Sequence, residues 1–143
     1  MVRAMNSNTI RAKESLCDGL TCVLCSNTDT ITSDKSGIRP LMEFVSLKKD
    51  CKGYSAADKI VGKAAAMLYV LLGVDEVYAQ VMSRAGKEML SQNGIENYCD
   101  TLVEKIINRK GTGICPMEQT VAEIDNPYDA YKALADKIKA MNS

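Results

Sequence analysis

The part of the sequence richest in chemistry is a glycine-containing loop that runs into a short helix. Pro116 is predicted to be the first helical residue, which makes Cys115 the N-cap. A thiol at that position meets the positive end of the helix dipole and unpaired backbone N–H groups, and both favour the thiolate. The same arrangement attracts anions, and Arg109 in the preceding loop adds positive charge. The pattern therefore predicts Cys115 as a nucleophile or as part of an anion-binding site.

Glu118 stands three residues after Cys115, and this spacing has two interpretations. A carboxylate beside an activated thiol is a candidate base. Three residues after an N-cap, it also stands at the capping-box position, where it would accept the backbone N–H of Cys115. The sequence leaves both open, although cysteine is a poor structural choice for an N-cap.

Lys63 is unusual because it lies in the most apolar segment of the chain. We predict one helix from Asp58 to Leu72, with Gly62 and three alanines around the lysine. A buried lysine is costly unless it is paired. Lys63 is then an anion-binding or proton-transferring group on the floor of a pocket, with Asp58 nearby. The alternative is that its side chain reaches the surface, while the small residues allow close packing of helix and sheet.

Composition removes several classes of function. The chain has no histidine, so Ser-His-Asp and Cys-His catalysis are excluded, and zinc would need Cys, Asp or Glu ligands. Eighteen basic and eighteen acidic residues cancel, so we expect no nucleic-acid partner. The longest apolar run, residues 64–72, is too short to span a membrane. The start of the chain does not resemble a signal peptide, so we expect a cytoplasmic protein with six reduced thiols.

Short helices alternate with short strands along the chain. Residues 21–25 and 29–33 predict an antiparallel hairpin, in which Cys22 and Cys25 would point to opposite faces and not chelate a metal together. Further strands are predicted at 51–57, 76–82 and 95–99, and helices at 8–18, from 39 onward, and at 58–72, 83–93, 116–124 and 126–141. This order predicts one domain over residues 1–143, with a core at roughly 8–124 and a C-terminal helix at 126–142. Its class is a three-layer α/β/α domain with a mixed sheet.

Two polar motifs give the chain a resemblance to a known family. They are Asp58-Lys-Ile-Val-Gly-Lys-Ala-Ala-Ala66 and Gly111-Thr-Gly-Ile-Cys-Pro-Met-Glu118, with Val77-Tyr-Ala-Gln-Val-Met-Ser83 between them. Over roughly residues 12–124, the chain resembles a small prokaryotic family of unknown function. That family is regarded as having the cytidine-deaminase-like fold, so the resemblance implies this fold. It also implies that a homodimer is plausible.

A zinc deaminase needs side chains that this chain lacks. Such an enzyme has a His or Cys ligand and, two residues later, a Glu at the start of one helix, and a Pro-Cys-x-x-Cys motif at the next. In the register that the resemblance implies, Gly62 and Ala64 replace the first ligand and the Glu. Cys115 and Glu118 stand at the two cysteine positions. We therefore expect the fold without the deaminase reaction, and neither zinc nor another cofactor.

Three functions remain open from the sequence, and it does not decide whether the protein is an enzyme. The first is binding of a small anionic or nucleotide-like ligand between the helices that carry Lys63 and Cys115. The residues expected to contact that ligand are Ser83, Asn108, Arg109, Gly111, Thr112 and Gly113. The second is an enzyme with Cys115 as nucleophile and Lys63 activating it, in which Asp58 or Glu118 handles protons. The third is a non-catalytic regulatory or interaction domain.

Overall fold

Helices and strands alternate along the chain in the structure, which is a computed structural model and describes residues 4–17, 19–108 and 110–142. In chain order the elements are α1 (Ser7–Ser15), β1 (Cys22–Cys25), β2 (Thr30–Ser33), α2 (Arg39–Ser46), β3 (Ser55–Val61), α3 (Lys63–Leu72), β4 (Glu76–Ser83), α4 (Arg84–Gln92), β5 (Glu96–Val103), α5 (Pro116–Val121) and α6 (Pro127–Met141). Asp18, the last residue of the first predicted helix, lies outside the described residues. None of the helices described is long and apolar enough to cross a membrane.

The strands form one mixed sheet in the order β2-β1-β3-β4-β5. β1 and β2 pair antiparallel, which confirms the predicted hairpin. β1 is also antiparallel to β3, whereas β3, β4 and β5 run parallel to one another. The parallel strands place their carboxyl ends at one edge of the sheet, and the connecting helices α3 and α4 begin there. The predicted α/β class with a mixed sheet is confirmed.

The two faces of the sheet bury different side chains. On one face, Val23, Cys25, Ala57 and Tyr78 pack against α1. On the other, α3 lies at the centre of a larger core, and its residues from Ala64 to Tyr69 are all buried. Cys22 belongs to the larger core and Cys25 to the smaller one, so the two thiols point to opposite faces as predicted.

One predicted helix proved to be two elements. Residues 58–61 belong to β3, and α3 begins only at Lys63, with Gly62 as its N-cap. The predicted strand at 51–57 is therefore displaced toward the C-terminus and begins at Ser55. The error has a physical reason: β3 is a central strand whose residues Ser55 to Asp58 are all buried, so it shows no period of two that would distinguish it from a buried helix. Asp58 consequently lies on the sheet and not on the helix that carries Lys63.

The starts of α4 and α6 lie within one residue of the predicted helix starts at 83 and 126. Ser83 is the N-cap of α4, and its Oγ accepts the backbone N–H of Gly86 at 3.0 Å. Asn126 caps α6 in the same way. β5 is longer than predicted, because its pairing with β4 extends to Val103. α5 is shorter than predicted and ends at Val121.

Candidate functional site

The carboxyl ends of the parallel strands bring several of the predicted residues together. In open α/β sheets, ligands bind at this edge. Gly62 connects β3 to α3, and Ser83 connects β4 to α4. α5 packs against α3, which places Glu118 at the same corner.

The Glu118 carboxylate lies at the N-terminus of α3. Its Oε1 accepts the backbone N–H of Lys63 at 2.7 Å, and its Oε2 accepts that of Ala64 at 2.8 Å. We call these two donors the α3 N–H pair. Gly62 has no side chain to cap α3, so the carboxylate from α5 caps it instead. The capping-box interpretation of Glu118 is wrong, because the Cys115 N–H donates to the Ile106 carbonyl at 3.0 Å.

Gly62 makes room for this carboxylate. A Cβ at position 62 would lie 2.1 Å from Glu118 Oε1, far inside van der Waals contact. The backbone of Gly62 is extended, so the requirement is for space and not for an unusual conformation. The close packing of helix and strand that was expected at Gly62 occurs at Gly86 of α4, where a Cβ would lie 2.9 Å from the Val61 carbonyl.

The Lys63 side chain lies against the end of α5. Its Nζ donates to the Ala122 carbonyl at 3.0 Å and is 3.8 Å from Asp125 Oδ1. Ala122 is the C-cap of α5, so the ammonium group neutralises the negative end of that helix. The Lys63 side chain is only 14% exposed. Lys63 and Glu118 therefore cap each other's helices.

Cys115 is the N-cap of α5, as the sequence predicted. Its side chain is partly buried and makes no capping hydrogen bond. It lies about one turn before Glu118 on the same six-residue helix. Its role as a nucleophile remains a prediction.

The loop before α5 is organised by Asn108. The Asn108 backbone N–H donates to the Gly113 carbonyl at 2.8 Å, and its Oδ1 accepts the Thr112 N–H at 3.1 Å. Gly111 has a φ of +71°, which favours glycine. Arg109 lies outside the described residues. Contact between this loop and a ligand remains a prediction, as it does for the buried Ser83.

Asp58 lies apart from this corner, in a buried polar cluster between the sheet and α3. Tyr69 donates its hydroxyl to Asp58 Oδ2 at 2.7 Å, and the same hydroxyl is 3.4 Å from Cys22 Sγ. Burial raises the pKa of Asp58 to about 7. Burial also raises the pKa of both Tyr69 and Cys22. Neither Tyr69 nor Cys22 was predicted as a partner, because that required knowing that Asp58 is on a strand.

A second buried carboxylate, Glu76, was also missed. Its Oε1 accepts the Thr9 hydroxyl at 2.7 Å and the Asn6 N–H at 3.0 Å, which fixes the start of α1 on β4. The only sequence signal was an acid at the first position of an apolar strand. Glu76 also lines a surface cavity of about 450 Å³ at the opposite edge of the sheet, together with Asp75 and Glu96. Three carboxylates make that cavity unsuitable for an anion.

The corner does not fit a zinc ion. Gly62 and Ala64 offer no ligand atoms, and both oxygens of Glu118 already accept backbone N–H groups. Within residues 4–17, 19–108 and 110–142, no group of three or more metal-binding side chains is placed to hold a metal.

The fold and this corner define an α/β protein with a mixed five-stranded sheet, in which α3 and α5 cap each other at the carboxyl edge of the parallel strands. A family model for a domain of unknown function, DUF1893 (TM1506), matches residues 11–138, and the chain belongs to this family. The match extends into α6, beyond the end of the resemblance seen in the sequence.

The chain is also similar to a solved structure, that of a DUF1893 family protein (TM1506) from Thermotoga maritima. The TM-score is 0.83 at 25% sequence identity, over 94% of this chain and 92% of the other. None of the curated proteins matches the chain. The comparisons thus give a family and its fold, and no activity.

Proposed function

We propose that this protein binds a small anionic or nucleotide-like ligand at the carboxyl end of its parallel strands, on a cytidine-deaminase-like fold without deaminase chemistry. The observation that carries the proposal is the α3 N–H pair, which already holds a carboxylate at 2.7 and 2.8 Å. A ligand phosphate or carboxylate presents the same kind of acceptor oxygens to these donors.

The residues at this corner favour binding over deamination. A zinc deaminase needs a metal to activate water and a Glu to move protons. At the positions that the resemblance assigns to these groups, Gly62 and Ala64 supply neither. The Glu118 carboxylate fills the space beside Gly62. Deamination of a base is therefore not part of the proposal.

A ligand would reach the α3 N–H pair by displacing Glu118. Glu118 is carried by a helix of only six residues, which follows a loop with glycines at positions 111 and 113. Release of α5 would also free the Lys63 ammonium from the Ala122 carbonyl, so that it could pair with the same anion. Because Glu118 competes with the ligand, the apparent dissociation constant is the intrinsic one divided by the fraction of molecules in which the pair is free.

The test is calorimetric titration with inorganic phosphate and with nucleoside monophosphates. We expect saturable binding that Glu118→Gln strengthens about tenfold or more, because a neutral amide competes less well for two N–H donors. Glu14→Gln is the matched control, because Glu14 is exposed on α1 at the other face of the sheet and should not change the affinity. Failure of every probe to bind either the wild type or Glu118→Gln would refute the proposal.

The second candidate is a non-catalytic regulatory or interaction domain. The observation that favours it is the closure of the corner by mutual capping between Lys63 and Glu118. On this view, the two contacts serve only to hold α5 on α3. Absence of ligand binding in Glu118→Gln, with a normal fold, would support this candidate.

A further inference from the structure

We propose that the buried cluster of Asp58, Tyr69 and Cys22 makes the packing of α3 on the sheet sensitive to pH. The inference does not depend on a ligand. It follows from where the three side chains lie and from what surrounds them.

The cluster joins three elements. Asp58 on β3 is directly opposite Cys22 on β1 in the antiparallel register. Tyr69 reaches down from α3, and its hydroxyl lies between the other two groups, 2.7 Å from Asp58 Oδ2 and 3.4 Å from Cys22 Sγ. All three side chains are buried, with Asp58 6% exposed. Any movement of α3 away from the sheet breaks the hydrogen bond from Tyr69.

Among the described residues, no lysine or arginine forms an ion pair with Asp58, and the adjacent Lys59 is exposed. Cys22 faces it from β1 and Tyr69 from α3, and Cys51, which precedes β3, acts on Cys22. On the β4 side, its neighbour in the register is Ala79. None of these four side chains carries a positive charge. A buried carboxylate without a cation is costly to ionise, so this environment favours the neutral acid.

The direction of the pH effect follows from this preference. Asp58 takes up its proton near pH 7 in the folded protein and near pH 3.8 when exposed. Between these values, the folded chain holds a proton that the unfolded chain has lost. The stability that this group contributes therefore falls as pH rises. The equilibrium constant for opening increases by up to about tenfold per pH unit and levels off above about pH 7. Carboxylates with a lowered pKa show the opposite trend.

Amide hydrogen exchange of α3 between pH 5.5 and 8.5, corrected for intrinsic rates, tests the proposal. We expect the protection of α3 amides to fall as pH rises to about 7 and then to level off. Asp58→Asn should remove this dependence, because an amide keeps an acceptor for Tyr69 and does not ionise. Asp100→Asn is the matched control, since Asp100 also accepts a tyrosine hydroxyl, from Tyr78, but is exposed.

A second variant keeps the test decisive if Asp58→Asn does not fold. The hydroxyl of Tyr69 lowers the pKa of Asp58, so Tyr69→Phe should move the pH at which protection levels off to a higher value. Protection in the wild type that does not change with pH would overturn the proposal. An unchanged pH dependence in Asp58→Asn, or in Tyr69→Phe where only that variant folds, would overturn it too.

Discussion

Replacing Gly62 by alanine should displace the Glu118 carboxylate from the α3 N–H pair, although the two hydrogen bonds are donated by Lys63 and Ala64 and not by Gly62. The new Cβ would lie 2.1 Å from Glu118 Oε1, so the carboxylate must leave the α3 N–H pair. Glu118→Ala removes the same carboxylate directly. Loss of a helix N-cap costs about 0.5–2 kcal/mol, and hydrogen bonds to charged groups contribute about 1.5–3 kcal/mol each when well buried. Because Glu118 is only partly buried, we expect each single variant to lose about 1–2 kcal/mol of stability.

The double variant distinguishes this mechanism from general damage to the fold. If both changes act only by removing the carboxylate from α3, Gly62→Ala with Glu118→Ala should lose about as much as either change alone. The coupling free energy would then be about 1–2 kcal/mol, well above the few tenths expected for independent sites. Urea unfolding of the four proteins measures it, provided the slope with denaturant stays constant.

Gly113→Ala is the control for this cycle. A Cβ at position 113 would meet no atom within 4 Å, so this change should leave stability nearly unaltered. Additive losses, with the double variant destabilised by the sum of the two singles, would refute the reasoning. So would a Gly62→Ala protein as stable as the wild type.

Three further predictions concern Asp58, metal content and thiol reactivity. Asp58→Asn should raise the free energy of unfolding at pH 8 by up to about 4 kcal/mol, which is the value for a pKa that moves from 3.8 to about 7 on folding. Urea unfolding at pH 8 measures this change. A variant less stable than the wild type would contradict the prediction. The purified protein should hold no stoichiometric zinc by elemental analysis, and about one zinc per chain that is lost in Cys115→Ser would disprove this. If Cys115 is a nucleophile, iodoacetamide at pH 7 should label it before the exposed Cys17. Mass-spectrometric mapping that finds Cys17 labelled first would eliminate that alternative.

Much of the fold was predictable because its signals are local. The β1–β2 hairpin and the starts of α4 and α6, near Ser83 and Asn126, are each set by a few adjacent residues. The boundary between β3 and α3 was not, because Ser55 to Asp58 of β3 and Ala64 to Tyr69 of α3 are all buried. The burial of β3 does not alternate: Ser55 to Asp58 are all buried, and no period of two is visible.

The candidate site was predictable only in part, for a related reason. The position of Cys115 as an N-cap follows from the proline beside it. The true partner of Glu118 lies 55 residues away along the chain, and spacing within one helix cannot reveal it. The same limit applies to Glu76, whose partner Thr9 is 67 residues distant. Contacts of this range depend on how the sheet is assembled.

The most direct measurement of the proposed function is the NMR chemical shift of two backbone amides, those of Lys63 and Ala64, during titration with a nucleoside monophosphate. If a ligand oxyanion replaces the Glu118 carboxylate, both amide signals should shift and saturate together. The midpoint should fall at a lower ligand concentration in Glu118→Gln than in the wild type. Two amide signals that stay in place at every ligand concentration, in both proteins, would contradict the proposed function.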